Sequence, residues 1–137
     1  MTTPAPAPTR SVVLERDMPH PQEKIWRALT QSAVIDEWLM KNDFQPVVGH
    51  RFTFRADWGA VDCQVMAVEP NTTLSYTWAA YGLESVVTWT LTPTKTGTHL
   101  RMEQSGFRPD QEQAYRGAQG GWQRFLDSLD RVVAGLQ

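Results

Sequence analysis

The sequence predicts a single α+β domain in which an antiparallel sheet is covered on one face by a long C-terminal helix. Two observations lead to this prediction. Between residues 51 and 105, apolar and polar side chains alternate with a period of two, which is typical of strands with one buried face. From residue 114 onward, apolar side chains recur every three or four residues, which is typical of one amphipathic helix. A sheet with one apolar face needs a cover, and this helix is the available cover.

The N-terminus is predicted to be a short leader followed by an edge strand. Residues 1–10, MTTPAPAPTR, are rich in Pro, Ala and Thr, which indicates a disordered leader before one domain over 11–137. A strand is predicted over 11–18 from its alternating apolar positions. Arg16 interrupts the apolar face of this strand, which favours a place at the edge of the sheet.

Two short helices are predicted next. Pro21 suits the first position of a helix, and residues 22–30 follow with an apolar side. Ser32 is suited to cap a second helix, whose apolar stripe is formed by Ile35, Trp38 and Leu39.

The middle of the chain is predicted to be an antiparallel meander with short turns. Val68 is out of phase with the inward set that Val65 belongs to, so a β-bulge is predicted near residues 66–67. The strands are predicted around residues 51–55, 61–68, 74–78, 84–92 and 98–105.

The last helix is predicted to begin near Asp110, which with Gln113 fits a capping box. Its apolar stripe is Ala114, Ala118, Trp122, Phe125, Leu129, Val132 and Leu136.

Three glycines, Gly117, Gly120 and Gly121, interrupt this helix, and each costs about 1 kcal/mol relative to alanine. The stripe stays in phase through them, so we expect the helix to continue, with or without a kink. Two explanations stay open: the sheet approaches the glycines closely, or they leave room for the mouth of a cavity above Trp122.

Composition excludes several function classes. The net charge is −2 without a Lys/Arg cluster, so nucleic acid is not an expected partner. No apolar run is long enough for a membrane span. The single cysteine, Cys63, cannot form an intrachain disulfide and favours a cytoplasmic location. His and Cys show no ligand spacing, so neither a metal nor a cofactor is predicted.

Five stretches in order resemble the activator of Hsp90 ATPase homologue-like (AHSA1-type) family of the START/Bet v 1-like (SRPBCC) superfamily. They are KIWRALTQSAVIDEWL (24–39), GHRFTF (49–54), QVMAVEPNTTLSYTW (64–78), SVVTWTLTPTKTGTHLRMEQSGF (85–107) and GGWQRFLDSL (120–129). The resemblance implies a helix-grip fold, in which a curved antiparallel sheet wraps the long C-terminal helix and two short helices follow the first strand. It also implies a cavity between the sheet and the helix.

The residues that would face this cavity are mostly apolar and aromatic, which suits a small hydrophobic or aromatic ligand. Filling the interior is the alternative role for the same side chains. The candidate ligand-binding residues are Trp38, Phe52, Phe54, Cys63, Tyr76, Trp78, Trp89, Met102, Gln104, Trp122 and Phe125.

The resemblance also implies two alternatives to a simple binding protein. One is an enzyme of the polyketide cyclase or aromatase type, for which Tyr76, His50 and Glu84 are the candidate acid/base groups. The other is a stress-response protein or co-chaperone with an Hsp90-type partner. No pattern in the sequence marks a subunit interface, so the sequence does not decide between a monomer and a homodimer.

Overall fold

A computed structural model describes residues 9–136 of the chain. Its elements in order are β1 (Arg10–Met18), α1 (Gln22–Thr30), α2 (Ser32–Trp38), β2 (Lys41–Asn42), β3 (Arg51–Ala56), β4 (Gly59–Glu69), β5 (Thr73–Ala80), β6 (Leu83–Pro93), β7 (Thr98–Phe107) and α3 (Glu112–Gly135). Most of the predicted leader, residues 1–8, lies outside the described residues, and Arg10 is the first residue of β1.

The strands form one seven-stranded antiparallel sheet in the order β1-β7-β6-β5-β4-β3-β2. Strands β2 to β7 are a meander, and β1 pairs with β7 after the chain has passed through the rest of the sheet. The long helix α3 packs against α1, α2, β1 and β7. This arrangement confirms the predicted helix-grip fold and the edge position of β1.

The predicted β-bulge in β4 is present. The register between β4 and β5 shifts between Val65 and Ala67, so that Val65 is buried whereas Met66 is 52% exposed. The extra residue moves Val68 back towards the core, against which it packs.

The core fills the space between the inner face of the sheet and the helices. From α1 and α2 it receives Ile25, Leu29 and Ile35, all buried. The largest side chains that are almost completely enclosed include Trp89, Phe54, Phe107, Leu74, Leu100 and Met102 from the strands and Leu126 and Leu129 from α3.

Both predicted side-chain caps are wrong. The Ser32 hydroxyl donates to the carbonyl oxygen of Asn42 at 3.0 Å, and neither α2 nor α3 has a side-chain cap. The Asp110 carboxylate accepts a hydrogen bond from Arg108 Nε at 3.2 Å instead of capping α3, which begins two residues later. Short polar side chains can hydrogen-bond to several nearby groups besides the helix N-terminus. Here Ser32 bonds to the backbone of Asn42 and Asp110 to the side chain of Arg108.

The buried stripe of α3 is rotated from the predicted one. Leu126 and Val133 are buried, whereas Phe125 and Val132 are only partly buried and Ala114 is exposed. Residues three and four apart both lie on one helix face, so the sequence is compatible with either of two neighbouring buried stripes. Packing against the sheet decides which of the two stripes is buried. The helix passes through Gly117, Gly120 and Gly121 as one element.

Arg16, the residue that interrupts the apolar face of β1, connects this strand to α3. Its Nη1 lies 2.9 Å from the Asp127 carboxylate and 3.1 Å from the Asp130 carboxylate. At the other end of the strand, Arg10 pairs with Glu112 and lies over the ring of Tyr115. The edge strand therefore holds both halves of the helix.

Gly97→Ala is expected to destabilise the protein by about 2–4 kcal/mol, because a Cβ at residue 97 would lie 2.7 Å from the His20 nitrogen and even closer to the Met18 carbonyl oxygen. Gly117→Ala is the matched control. Its added Cβ meets nothing within 4 Å, so helix propensity should stabilise the protein by about 0.5–1 kcal/mol. Urea unfolding measures both changes in the free energy of unfolding. If the two substitutions both stabilise or both destabilise the protein, this explanation is contradicted.

The outward-facing His99 should make the stability of the β1–β7 pair depend on pH. Its ring contacts the carboxylates of Glu15, at 3.0 Å, and Asp17, at 2.7 Å, and these hydrogen bonds raise the pKa of His99 above its ordinary value. Their contribution to the free energy of unfolding is complete below the unfolded pKa of about 6.5, and it is lost as pH rises through the raised folded value.

The difference in unfolding free energy between the natural chain and His99→Gln should therefore be larger at pH 6 than at pH 9. The effect is small because the pair is exposed to solvent. Urea midpoints at the two pH values measure it, and a larger difference at pH 9 would be the contradictory result.

Candidate functional site

A cleft of about 420 Å³ opens between the first half of α3 and the ends of the middle strands. Its helix wall is made of small residues, its floor is aromatic, and its rim carries two exposed aromatic side chains. The lining residues are Trp58, Trp78, Tyr81, Leu83, Gln104, Ala114, Gly117, Ala118, Gly121, Trp122 and Phe125.

The glycines of α3 form the helix wall of this cleft. A Cβ at Gly117 would meet nothing within 4 Å, and one at Gly121 would meet only Arg124 Nη2 at 3.9 Å. The sheet does not approach these positions closely, so that explanation of the glycines is contradicted. Their missing side chains widen the cleft above Trp122, as the second explanation holds. Gly120 does not line the cleft.

Two hairpin tips form the rim. In the β5–β6 turn, Tyr81 and Gly82 have φ values of 49° and 81°, as a tight two-residue hairpin turn requires. The Tyr81 hydroxyl donates to the carbonyl oxygen of Trp58 in the β3–β4 turn at 2.6 Å, and the two rings are 6.0 Å apart. Gly59 leaves the space that this hydroxyl occupies.

A second hollow of about 490 Å³ continues the cleft towards the start of α3. It shares Trp58, Tyr81, Leu83 and Ala114 with the first, and its other end is lined by residues 110–113. The cleft is therefore apolar in its deep part and polar at its outer end.

A chain of hydrogen bonds runs beneath the floor. The indole Nε1 of Trp122 donates to Gln104 Oε1 at 2.7 Å, and Gln104 Nε2 donates to Ser85 Oγ at 3.0 Å. The Ser85 hydroxyl in turn donates to the carbonyl oxygen of Trp78 at 2.8 Å. Within the described residues, no buried side-chain nitrogen or oxygen lacks a partner. The buried amide of Gln104 is thus held by the protein itself.

Of the predicted ligand-binding residues, the structure brings Trp78, Gln104, Trp122 and Phe125 to the cleft. The other seven pack in the core: Trp38, Phe52, Phe54, Cys63, Tyr76, Trp89 and Met102 are all buried and do not line the cleft. Phe52 and Cys63 also border a separate hollow of about 280 Å³ beside Asp43 and Arg51.

Aromatic contacts account for much of this core. Trp89 packs edge-on against Trp38 and Trp122, with ring centroids 5.7 Å apart in each pair. The indole nitrogens of Trp89 and Trp38 donate to the Tyr76 hydroxyl and to the Ala28 carbonyl oxygen. The polar atoms of these rings are hydrogen-bonded within the protein, and little of the ring surface is accessible to a ligand.

Sequence reasoning missed Trp58, Tyr81 and Leu83 as lining residues. Tyr81 carried a usable signal, because an aromatic residue directly before glycine in a short turn between two strands is placed at an exposed hairpin tip.

The three candidate acid/base groups do not meet in the cleft. Tyr76 is enclosed in the core, and burial raises the pKa of its hydroxyl far above the ordinary value. His50 Nε2 lies 2.9 Å from the carbonyl oxygen of Asp43, and Glu84 lines other hollows. Burial likewise raises the pKa of the Cys63 thiol, with added repulsion from Asp62 and Asp43, which keeps it protonated and unreactive.

Two further site classes have no counterpart between residues 9 and 136. No group of His, Cys, Asp or Glu side chains there is arranged to hold a metal ion. In the same part of the chain, no helix combines the length and hydropathy needed to cross a membrane.

Comparison with solved structures finds the same fold in other proteins. MLL2253 from Mesorhizobium loti is 61% identical, with 93% of this chain and 99% of that chain covered and a TM-score of 0.90. BH1534 from Bacillus halodurans is 27% identical, with 90% and 96% covered and a TM-score of 0.81. DynU16, described as a putative protein in the dynemicin biosynthetic locus, is 27% identical, with 91% and 47% covered and a TM-score of 0.82.

No curated protein matches this chain significantly. The family model for activator of Hsp90 ATPase homolog 1-like proteins matches residues 19–134, which include α1, α2, strands β2 to β7 and all of α3 except its last residue. The chain therefore belongs to the activator of Hsp90 ATPase homolog 1-like family.

Proposed function

We propose that this protein binds a small hydrophobic or aromatic molecule in the cleft between α3 and the sheet. The observation that carries the proposal is the lining of the cleft, which combines Trp78, Trp122 and Phe125 with glycine and alanine. A volume of about 420 Å³ lies within the range of small-molecule sites in proteins, and such sites are mostly apolar with few polar groups.

The glycines supply an energetic argument for the same proposal. Each one weakens α3 by about 1 kcal/mol relative to alanine, and packing against the sheet does not require any of them. A site that must stay open is a reason to keep residues that cost stability. Gly117 and Gly121 line the cleft, so two of the three glycines fit this reason directly.

Binding without turnover fits the chemistry of the lining. The candidate acid/base groups Tyr76, His50 and Glu84 all lie outside the cleft. The polyketide cyclase or aromatase alternative draws on the 27% identity to DynU16 and its biosynthetic locus. It would need an acid/base pair beside the bound molecule, whereas the carboxylates that line the cleft, Asp110 and Glu112, lie at its outer end and are each paired with arginine.

The expectation of an Hsp90-type partner and of a stress-response role rests on the family description. The exposed large apolar residues of the described part of the chain are Val13 in β1, Val47 and Val48 before β3, Met66 at the bulge, and Trp58 and Tyr81 at the cleft. These two expectations, like the cytoplasmic location, stay predictions.

Gly121→Leu should weaken binding of an uncharged fluorescent probe, N-phenyl-1-naphthylamine, at least tenfold, because the new side chain would occupy the cleft. Fluorescence titration at a fixed protein concentration measures the dissociation constant. The matched control is Gly120→Leu, one residue away on the same helix but outside the cleft lining.

Gly120→Leu should leave the dissociation constant within about twofold of the natural value, while both variants gain similar helix propensity. If neither substitution changes the affinity, or if the natural chain does not bind the probe at all, the cleft is not the binding site.

A further inference from the structure

We infer that the ligand is uncharged and that it carries a neutral polar group, a hydroxyl or a carbonyl, which Gln104 recognises at the floor of the cleft. This inference rests on the proposed function and deepens it, because it names the chemical class of the ligand and the residue that selects it.

The first step concerns charge. Among the described residues that line the two parts of the cleft there is no lysine, arginine or histidine. Arg124, whose Nη2 lies 3.9 Å from where a Cβ of Gly121 would be, is an exposed side chain outside the lining. A carboxylate group at the floor of the cleft would therefore lose its hydration without gaining a cation, which is strongly unfavourable. The site therefore disfavours acids of otherwise suitable shape.

The acidic side chains at the outer end do not make it a site for cations either. The Asp110 carboxylate is paired with Arg108, and the Glu112 carboxylate with Arg10 and Arg116. Arg10 and Arg116 also hold the pKa of Glu112 below its ordinary range. Since each of these carboxylates already has its counter-charge, the cleft offers little to a charge of either sign.

The second step concerns the orientation of Gln104. An indole nitrogen can only donate, so the atom of Gln104 that faces Trp122 must be the carbonyl oxygen. The amide nitrogen then faces Ser85, whose hydroxyl accepts from it and donates to the Trp78 carbonyl oxygen. This directional chain fixes the amide and makes Ser85 a positioning residue behind the floor.

The third step concerns what the fixed amide still offers. A glutamine side chain has two N–H donors and two acceptor lone pairs, and Gln104 uses one of each within the protein. One donor and one acceptor remain on a side chain that lines the cleft and is only 1% exposed. A ligand hydroxyl can use either of them, and a ligand carbonyl can use the donor.

Three probes of nearly the same shape test the inference: naphthalene, 2-naphthol and 2-naphthoate at pH 7, where the acid is ionised. Tryptophan fluorescence gives the dissociation constants, and the indole ¹H–¹⁵N signal of Trp122 reports binding at the floor. We expect 2-naphthol to bind at least tenfold more tightly than 2-naphthoate. It should also bind about three- to tenfold more tightly than naphthalene, the effect of one net hydrogen bond.

The variant Gln104→Met removes the amide at similar volume. It should abolish the advantage of 2-naphthol over naphthalene, measured within the same variant. Should this variant fail to fold, the comparison of 2-naphthol with 2-naphthoate on the natural chain still decides the charge preference. Ser85→Ala then tests recognition by Gln104, because it removes the hydroxyl that accepts from Gln104 Nε2 and positions the amide.

The outcomes separate this inference from the proposed function. If naphthalene and 2-naphthol leave the Trp122 signal unchanged, the binding site itself is refuted. If naphthalene binds but 2-naphthoate binds as tightly as 2-naphthol, the site stands and the preference for an uncharged ligand is overturned. If the advantage of 2-naphthol persists in Gln104→Met, recognition by Gln104 is overturned.

Discussion

The hydrogen-bond chain from Trp122 through Gln104 and Ser85 to the Trp78 carbonyl is the constraint on which the rest of the molecule depends. It joins α3 to β7, β6 and β5 inside an apolar core, where an unpaired polar group would cost about 1–3 kcal/mol. Because each donor faces one acceptor, the chain fixes both the rotation of α3 and the orientation of the buried amide. Apolar packing tolerates small sliding movements, whereas a buried polar chain of this kind does not.

Once Trp122 is held, the two halves of α3 have different roles. The second half buries Leu126, Leu129 and Val133 against the core. The first half has no buried residue before Trp122 and is held mainly by Arg10 and by Tyr115 against Phe107. The first half of α3 therefore does not pack tightly against the sheet, and the cleft is the space between them. A helix of alanines would be more stable there, but it would close part of that space.

The distribution of aromatic residues follows the same division. Rings that satisfy each other, such as Trp89 with Tyr76 and Trp38, build a closed core. Rings near the first half of α3, such as Trp78 and Phe125, have one side towards the cleft. Fold and candidate site are therefore parts of one packing arrangement, in which the inner end of the cleft is the outer surface of the core.

The sequence by itself determined the elements other than the two-residue strand β2, because the two periods of apolar residues and the phase slip at Val68 are local signals that packing preserved. It also placed Gln104 and Trp122 among the candidate ligand-binding residues, and the amide of Gln104 on an apolar strand face needs a partner. Only the tertiary structure decided which partner that is, which line of α3 is buried, and which aromatic residues reach the cleft. These choices depend on distances between segments far apart in the chain, such as Arg16 and Asp130 or Tyr81 and Trp58, and no local pattern records them.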